Sequence, residues 1–161
     1  SYLGLLVLKN RIKLDKFLQK YFINQYFMPN IQFKLTDQIK KIANTSIDVS
    51  DGLLTDLDKM INLQKFSYKL DLEKIPISNK LQKVLKLKKL PKINYISNGD
   101  DYQVLFTASK SKRRIIKNIS LSYRIKLTKI GSIQSDRKKS CVINDKNRTI
   151  SVKNKGYFHH F

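Results

Sequence analysis

The segment TSIDVSDGLLTDLDKM, residues 45 to 60, changes its apolar period partway along. TSIDVS reads as a buried strand, and from Asp51 to about Leu63 the positions Leu53, Leu54, Leu57, Met60 and Ile61 fall on one side of a helix. A strand that runs straight into an amphipathic helix buries both apolar surfaces only if helices are layered on a sheet. That restricts the fold more than any other feature of the chain.

The alternation continues on both sides. LGLLVLK reads as an entering strand within residues 1 to 9, followed by a helical segment over residues 10 to 45. There Leu14, Leu18, Tyr21, Phe22 and Phe27 recur at helical spacing before Pro29, and a short amphipathic helix spans Leu35 to Ile42. FSYKLDL (66 to 72) and DYQVLFTAS (101 to 109) read as strands, separated by a loop and short helix between Pro76 and Leu90. A basic helix near 110 to 119 precedes RIKLTKIGSI, and SCVIN and RTISVK form a hairpin through Asp145 to Asn147. The predicted class is α/β (α+β), a layered mixed sheet with flanking helices and an α/β core over residues 46 to 161. Neither repeats nor a Gly/Ser linker divide the 161 residues, which form one domain. Cys141, inside an apolar strand, is expected in the core.

The charge raises a second class of function. With 33 Lys and Arg against 12 Asp and Glu, the net charge of +21 is that of a nucleic-acid binder. However, only six of these residues are Arg, and Lys, Ile and Asn fill 58 of the 161 positions. All three have AT-rich codons, so coding bias explains the lysines without a ligand. The basic runs LKLKKLPK, KSKRR and DRKK are short and separated, and no recognition motif accompanies them. A nucleic-acid partner is therefore the alternative and not the primary expectation. No apolar run approaches the roughly 20 residues of a membrane span, and no secretory signal pattern opens the chain. A single cysteine fits a reducing compartment, so a soluble cytoplasmic protein is expected.

Against this background the acids are unevenly placed. Four aspartates fall within residues 48 to 58, and Asp100 and Asp101 add two more, so two short stretches hold six of the 12. Asp48 ends a strand, Ser50 takes an N-cap position and Asp51 opens the helix. Such a turn offers amide donors to a phosphate and carboxylates to a hard divalent cation. A plainer role is open too, with Ser50 capping, Asp51 complementing the helix dipole, and Asp56 and Asp58 on a solvated face. SNGDDYQVLF places Asp100 and Asp101 at a turn before another strand, and strand ends are where open α/β sheets place ligands. His159 and His160 lack partner ligands and are read as packing or solvent residues.

SIDVSDGLLTDL, then GDDYQVLFTAS about fifty residues later, then LTKIGSI and a terminal KGYFHHF closely resemble, in that order, the C-terminal part of the thiamine-monophosphate kinase family. The family patterns read approximately D-I-S-D-G-L, G-G-E-D-Y-E-L-L-F-T, T-x-I-G and G-Y-D-H-F. YLGLLVLK and YFMPNIQF look like the segments that enter the family's second domain, so the resemblance spans nearly the whole chain. It implies a domain like the C-terminal one of the aminoimidazole ribonucleotide synthetase superfamily, and Mg²⁺-dependent transfer of the γ-phosphate of ATP to thiamine monophosphate, giving thiamine diphosphate. By position, Asp48 and Asp51 match Mg²⁺ ligands, Ser50 a nucleotide contact and Asp100 a substrate contact. A terminal aromatic also matches a substrate contact. The tail is one residue longer than the pattern, so Phe158 or Tyr157 takes that role, and counting from the end favours Phe158. Asp100 replaces a Glu, and Asn98 and Gln103 replace a Gly and a Glu. No catalytic residue is assigned.

The resemblance further implies a preceding domain that supplies most nucleotide and metal ligands and the homodimer contact. Nothing here resembles that domain, so the chain reads as a fragment, inactive alone. Within the superfamily, aminoimidazole ribonucleotide synthetase and selenophosphate synthetase are the alternatives.

Overall fold

The structure, a computed structural model, describes residues 1–61, 65–135, 139–152 and 156–157. In chain order the helices are α1 (Tyr2–Leu8), α2 (Lys16–Phe27), α3 (Thr36–Ile42), α4 (Leu53–Met60), α5 (Asn79–Leu87), α6 (Lys92–Ile96) and α7 (Arg113–Tyr123). The strands are β1 (Thr45–Val49), β2 (Ser67–Asp71), β3 (Gln103–Thr107), β4 (Gly131–Gln134) and β5 (Cys141–Ile143). The mixed α/β class is as expected, with the strands divided between two small sheets. β1 and β3 form an antiparallel ribbon in which Asp48 faces Val104. β2 lies between β4, antiparallel, and β5, parallel. Among the described residues no helix is long and apolar enough to cross a membrane.

α4 buries the predicted stripe. Leu53, Leu54, Leu57, Met60 and Ile61 pack with Val49, Tyr68, Leu70, Ile96 and Val142 into the main core, each large apolar side chain contributing about 1.5–3 kcal/mol by leaving water. β1 meets this core through Val49 and the partly buried Ile47. Val49 is buried, but Thr45, Ser46 and Asp48 are exposed, which corrects the expectation of a buried strand. Among the described residues this ribbon has two strands, and the polar residues of β1 lie on it.

LGLLVL is helical, which corrects the entering strand. Six apolar residues without a polar interruption fit either element, and tertiary packing decided it. Leu3, Gly4 and Val7 are buried. A Cβ on Gly4 would stand 2.2 Å from the Phe22 carbonyl oxygen, so glycine lets α1 approach the α2 backbone. Leu3 and Phe22 meet Val84, Leu85 and Tyr95 in a second core. The Asp15 carboxylate caps α2 by accepting from the Leu18 N–H at 2.9 Å. Phe27, counted with the apolar stripe, is exposed.

Of RIKLTKIGSI only Gly131–Gln134 is strand. Arg124 enters the left-handed region (φ 52°) and ends α7, and the Ser120 hydroxyl donates to the Ile125 carbonyl, which holds the chain out of strand geometry. The predicted turn at Asp145 to Asn147 is present, closed by the Asn144 N–H on the Arg148 carbonyl at 3.0 Å. Its return arm pairs through a lone bridge, Ile143 to Thr149. Cys141 is half-buried, not a core residue, because it sits on an edge strand of three residues.

Asp58 does not lie on a purely solvated face. Tyr68, 2 % exposed, donates its phenol to the Asp58 carboxylate. Burial first, then the Asp58 charge and hydrogen bond, push this phenol well above its ordinary range. A folded-state value above the unfolded one means that the contribution to stability is complete below about pH 10 and is lost as pH rises beyond it. The melting temperature of Tyr68→Phe should accordingly fall less between pH 9 and 11, in parallel thermal scans, than that of the parent protein.

Candidate functional site

The site is a junction of backbone loops. β1 leaves the ribbon at Ser50, and the chain turns through Asp51 and Gly52 into α4. Gly52, with φ 130°, is the N-cap, and no side chain caps from that position. This corrects the assignment of Ser50 as cap and of Asp51 as the first helical residue. The capping group comes from inside the helix instead. Oδ2 of Asp56 accepts the N–H groups of Ser50, Asp51 and Gly52 at 2.9, 2.9 and 3.2 Å. Asp56 is 1 % exposed, which overturns its placement on a solvated face. These amides are thereby committed to a carboxylate.

The other oxygen of Asp56, Oδ1, accepts from the Lys59 ammonium at 3.0 Å, and the same ammonium contacts the Asp51 carboxylate. The hydrogen bond to Asp51, more than the one to Asp56, raises Lys59 above the ordinary lysine range against the opposing effect of burial. Asp51 is a largely buried carboxylate, its side chain 15 % exposed, balanced by a half-exposed cation.

The second acidic stretch closes over this turn. The Asp100 N–H donates to the Ser50 carbonyl at 2.8 Å and the Tyr102 N–H to the Val49 carbonyl at 2.9 Å. Gly99 permits the approach, since a Cβ there would stand 1.7 Å from the Ser50 oxygen. Asp100 itself lies in the left-handed region, φ 65°. The C-terminal stretch joins as well, with the Tyr157 N–H on the Asp51 carbonyl at 2.9 Å and Gly156 packed against Thr55. Two segments far from this turn in sequence thus converge on Ser50–Gly52.

Of the predicted site residues, the junction gathers Ser50, Asp51, Asp100 and Tyr157. Asp48 stands apart on the exposed side of β1, opposite Val104. Phe158, His159 and His160 lie outside the described residues. Sequence reasoning missed Asp56 and Lys59. Asp56 follows Leu53 by three positions and precedes Met60 by four, so helical spacing already placed it beside the apolar stripe.

Among the described residues, no three His, Cys, Asp or Glu side chains gather as a metal cage. Mg²⁺ does not require one, because it keeps several waters and takes one or two carboxylates together with substrate phosphates. A largely buried Asp51 whose charge is met by an ammonium fits that mode: the position already favours a cation.

No protein-family model matches the chain. It is 32% identical over 161 residues to the thiamine-monophosphate kinase of Buchnera aphidicola subsp. Acyrthosiphon pisum, an alignment that covers 99% of this chain and 49% of the relative. The chain belongs to the thiamine-monophosphate kinase family. The Escherichia coli K12 thiamine-monophosphate kinase is 27% identical over the same share of the chain. The chain spans about half the length of these curated relatives. Among solved structures it is similar to the thiamine-monophosphate kinase of Stenotrophomonas maltophilia K279a, with a TM-score of 0.72 at 25% identity over 88% of this chain and 46% of that one. It is also similar to AaThiL, solved with AMPPCP and TMP, with a TM-score of 0.71 at 25% identity over 96% of this chain and 47% of that one. The family was therefore correctly read from the four motifs, and the fold class agrees.

Proposed function

We propose that the protein containing this chain transfers the γ-phosphate of ATP to thiamine monophosphate, giving thiamine diphosphate, with Mg²⁺ as the required ion. The observation that carries this reading is the junction itself: DVSDG, GDDY and the terminal GY meet around Asp51 through main-chain hydrogen bonds. A related kinase bound to AMPPCP and TMP supports the choice of substrates.

In this reading Asp51 within the junction and Asp48 outside it on β1 are separate Mg²⁺ ligands, Ser50 contacts the nucleotide, and Asp100 and a terminal aromatic, Tyr157 or Phe158, contact thiamine monophosphate. Mg²⁺ supplies neutralisation of the charge that develops on the transferred phosphoryl group. The chain's own contribution is position. Asp56 and the Gly99 contact fix the Asp51 turn before substrate arrives, so little reorganisation is needed during reaction. The acceptor phosphate is already ionised, and no general base is assigned.

The chain is the C-terminal domain of the kinase in this account, residues 1–161 forming one unit. A preceding domain supplies the remaining nucleotide and metal ligands and the contact of a homodimer. The test is thiamine diphosphate formation by the full-length protein from ATP and thiamine monophosphate. The product should appear with Mg²⁺, disappear with a chelator, and be absent with the 161-residue chain alone. ATP consumption without thiamine diphosphate, or turnover that survives chelation, would contradict the assignment.

A further inference from the structure

Lys59 joins two carboxylates that differ in what else they do. Asp56 divides its oxygens, Oδ2 taking the Ser50, Asp51 and Gly52 amides and Oδ1 taking the Lys59 ammonium. Asp51 contributes to the junction through its backbone, its N–H donating to Asp56 and its carbonyl accepting from Tyr157. The Asp51 carboxylate can therefore change its cation without opening the turn. Lys59 is able to give way: its side chain is 47 % exposed, its stem is long and flexible, and Asp56, three positions earlier on α4, keeps a place for it. An ammonium and a divalent ion cannot both sit against one carboxylate oxygen without strong repulsion.

We propose that Lys59 is a built-in counter-cation of the Mg²⁺ site, resting on Asp51 until the metal displaces it onto Asp56 alone and so setting the Mg²⁺ concentration at which the site fills. It rests on the assignment of Asp51 as a metal ligand. Lys59 is a positioning residue here, with no contact to the reacting atoms. The Asp51 carboxylate is thereby held in place in the metal-free protein, at the cost of weaker metal binding.

The test is calorimetric titration of MgCl₂ into the nucleotide-free full-length protein, comparing the parent with Lys59→Gln, Lys59→Arg and Asp51→Asn. Lys59→Gln should bind Mg²⁺ about five- to tenfold more tightly, the scale of removing one unit charge at contact distance from a solvated site. Lys59→Arg, which keeps the charge, should show no tightening. Equal or weaker binding by Lys59→Gln overturns the proposal, and so does absence of Mg²⁺ binding in parent and variant alike. If Asp51→Asn binds Mg²⁺ as the parent does, the metal assignment falls with it. If Asp51→Asn loses binding while Lys59→Gln is unchanged, only the role of Lys59 falls. The parent protein provides a readout that does not depend on variants folding: with ¹³Cε-labelled lysine, the Lys59 resonance should move on Mg²⁺ addition, and an unmoved resonance contradicts displacement.

Discussion

Asp56→Ala should be the most destabilising single change at the junction. The substitution removes the acceptor of three backbone amides and one of the two carboxylates on the Lys59 ammonium. Each buried donor left without a partner costs about 1–3 kcal/mol, and water reaches part of this turn, so the total should be about 3–5 kcal/mol. Against a typical domain stability of about 5–15 kcal/mol that is a large share. Denaturant unfolding of the full-length protein should show a strongly lowered midpoint. Thiamine diphosphate formation should fall as well, because Asp51 loses the anchor on its N–H. Asp56→Asn should cost less, since its remaining oxygen can still accept.

Asp51→Asn should do the reverse, damaging the rate and sparing the fold. The asparagine keeps size, and the main-chain bonds to Asp56 and Tyr157 do not involve the altered atoms. The pairing with the half-exposed lysine contributes about 1 kcal/mol or less to stability after solvent screening. What is lost in function is a carboxylate from a charge-neutralising site, for which rates fall by about two orders of magnitude or more. A higher Mg²⁺ concentration should restore part of the rate.

Which of these features could be seen in the sequence depended on whether the responsible interaction was local. The α4 stripe was legible because Leu53, Leu54, Leu57, Met60 and Ile61 repeat at the helical period and all are buried. The family was legible from four ordered motifs. LGLLVL carried no period, and its helix follows from Gly4 packing on α2, a contact that no local pattern encodes. Ser50 looked like a cap by residue type. The cap was decided by Gly52, whose positive φ redirects the chain, and by Asp56, whose carboxylate turns back on the preceding loop. Asp58 looked solvated because its partner, Tyr68, arrives from β2. The convergence of Gly99 and Tyr157 on the same turn needed the fold.

The central claim is that Asp51 serves chemistry and not merely the start of a helix. Its most direct test is the rate of thiamine diphosphate formation by the full-length protein and its Asp51→Asn and Asp58→Asn variants across a range of Mg²⁺ concentrations, with melting curves of each. Asp51→Asn should lose about a hundredfold in rate, recover partly at high Mg²⁺ and melt near the parent temperature, while Asp58→Asn, whose side chain is bonded to Tyr68 on the core side, should keep the parent rate. An Asp51→Asn protein that turns over normally but melts early would contradict the account.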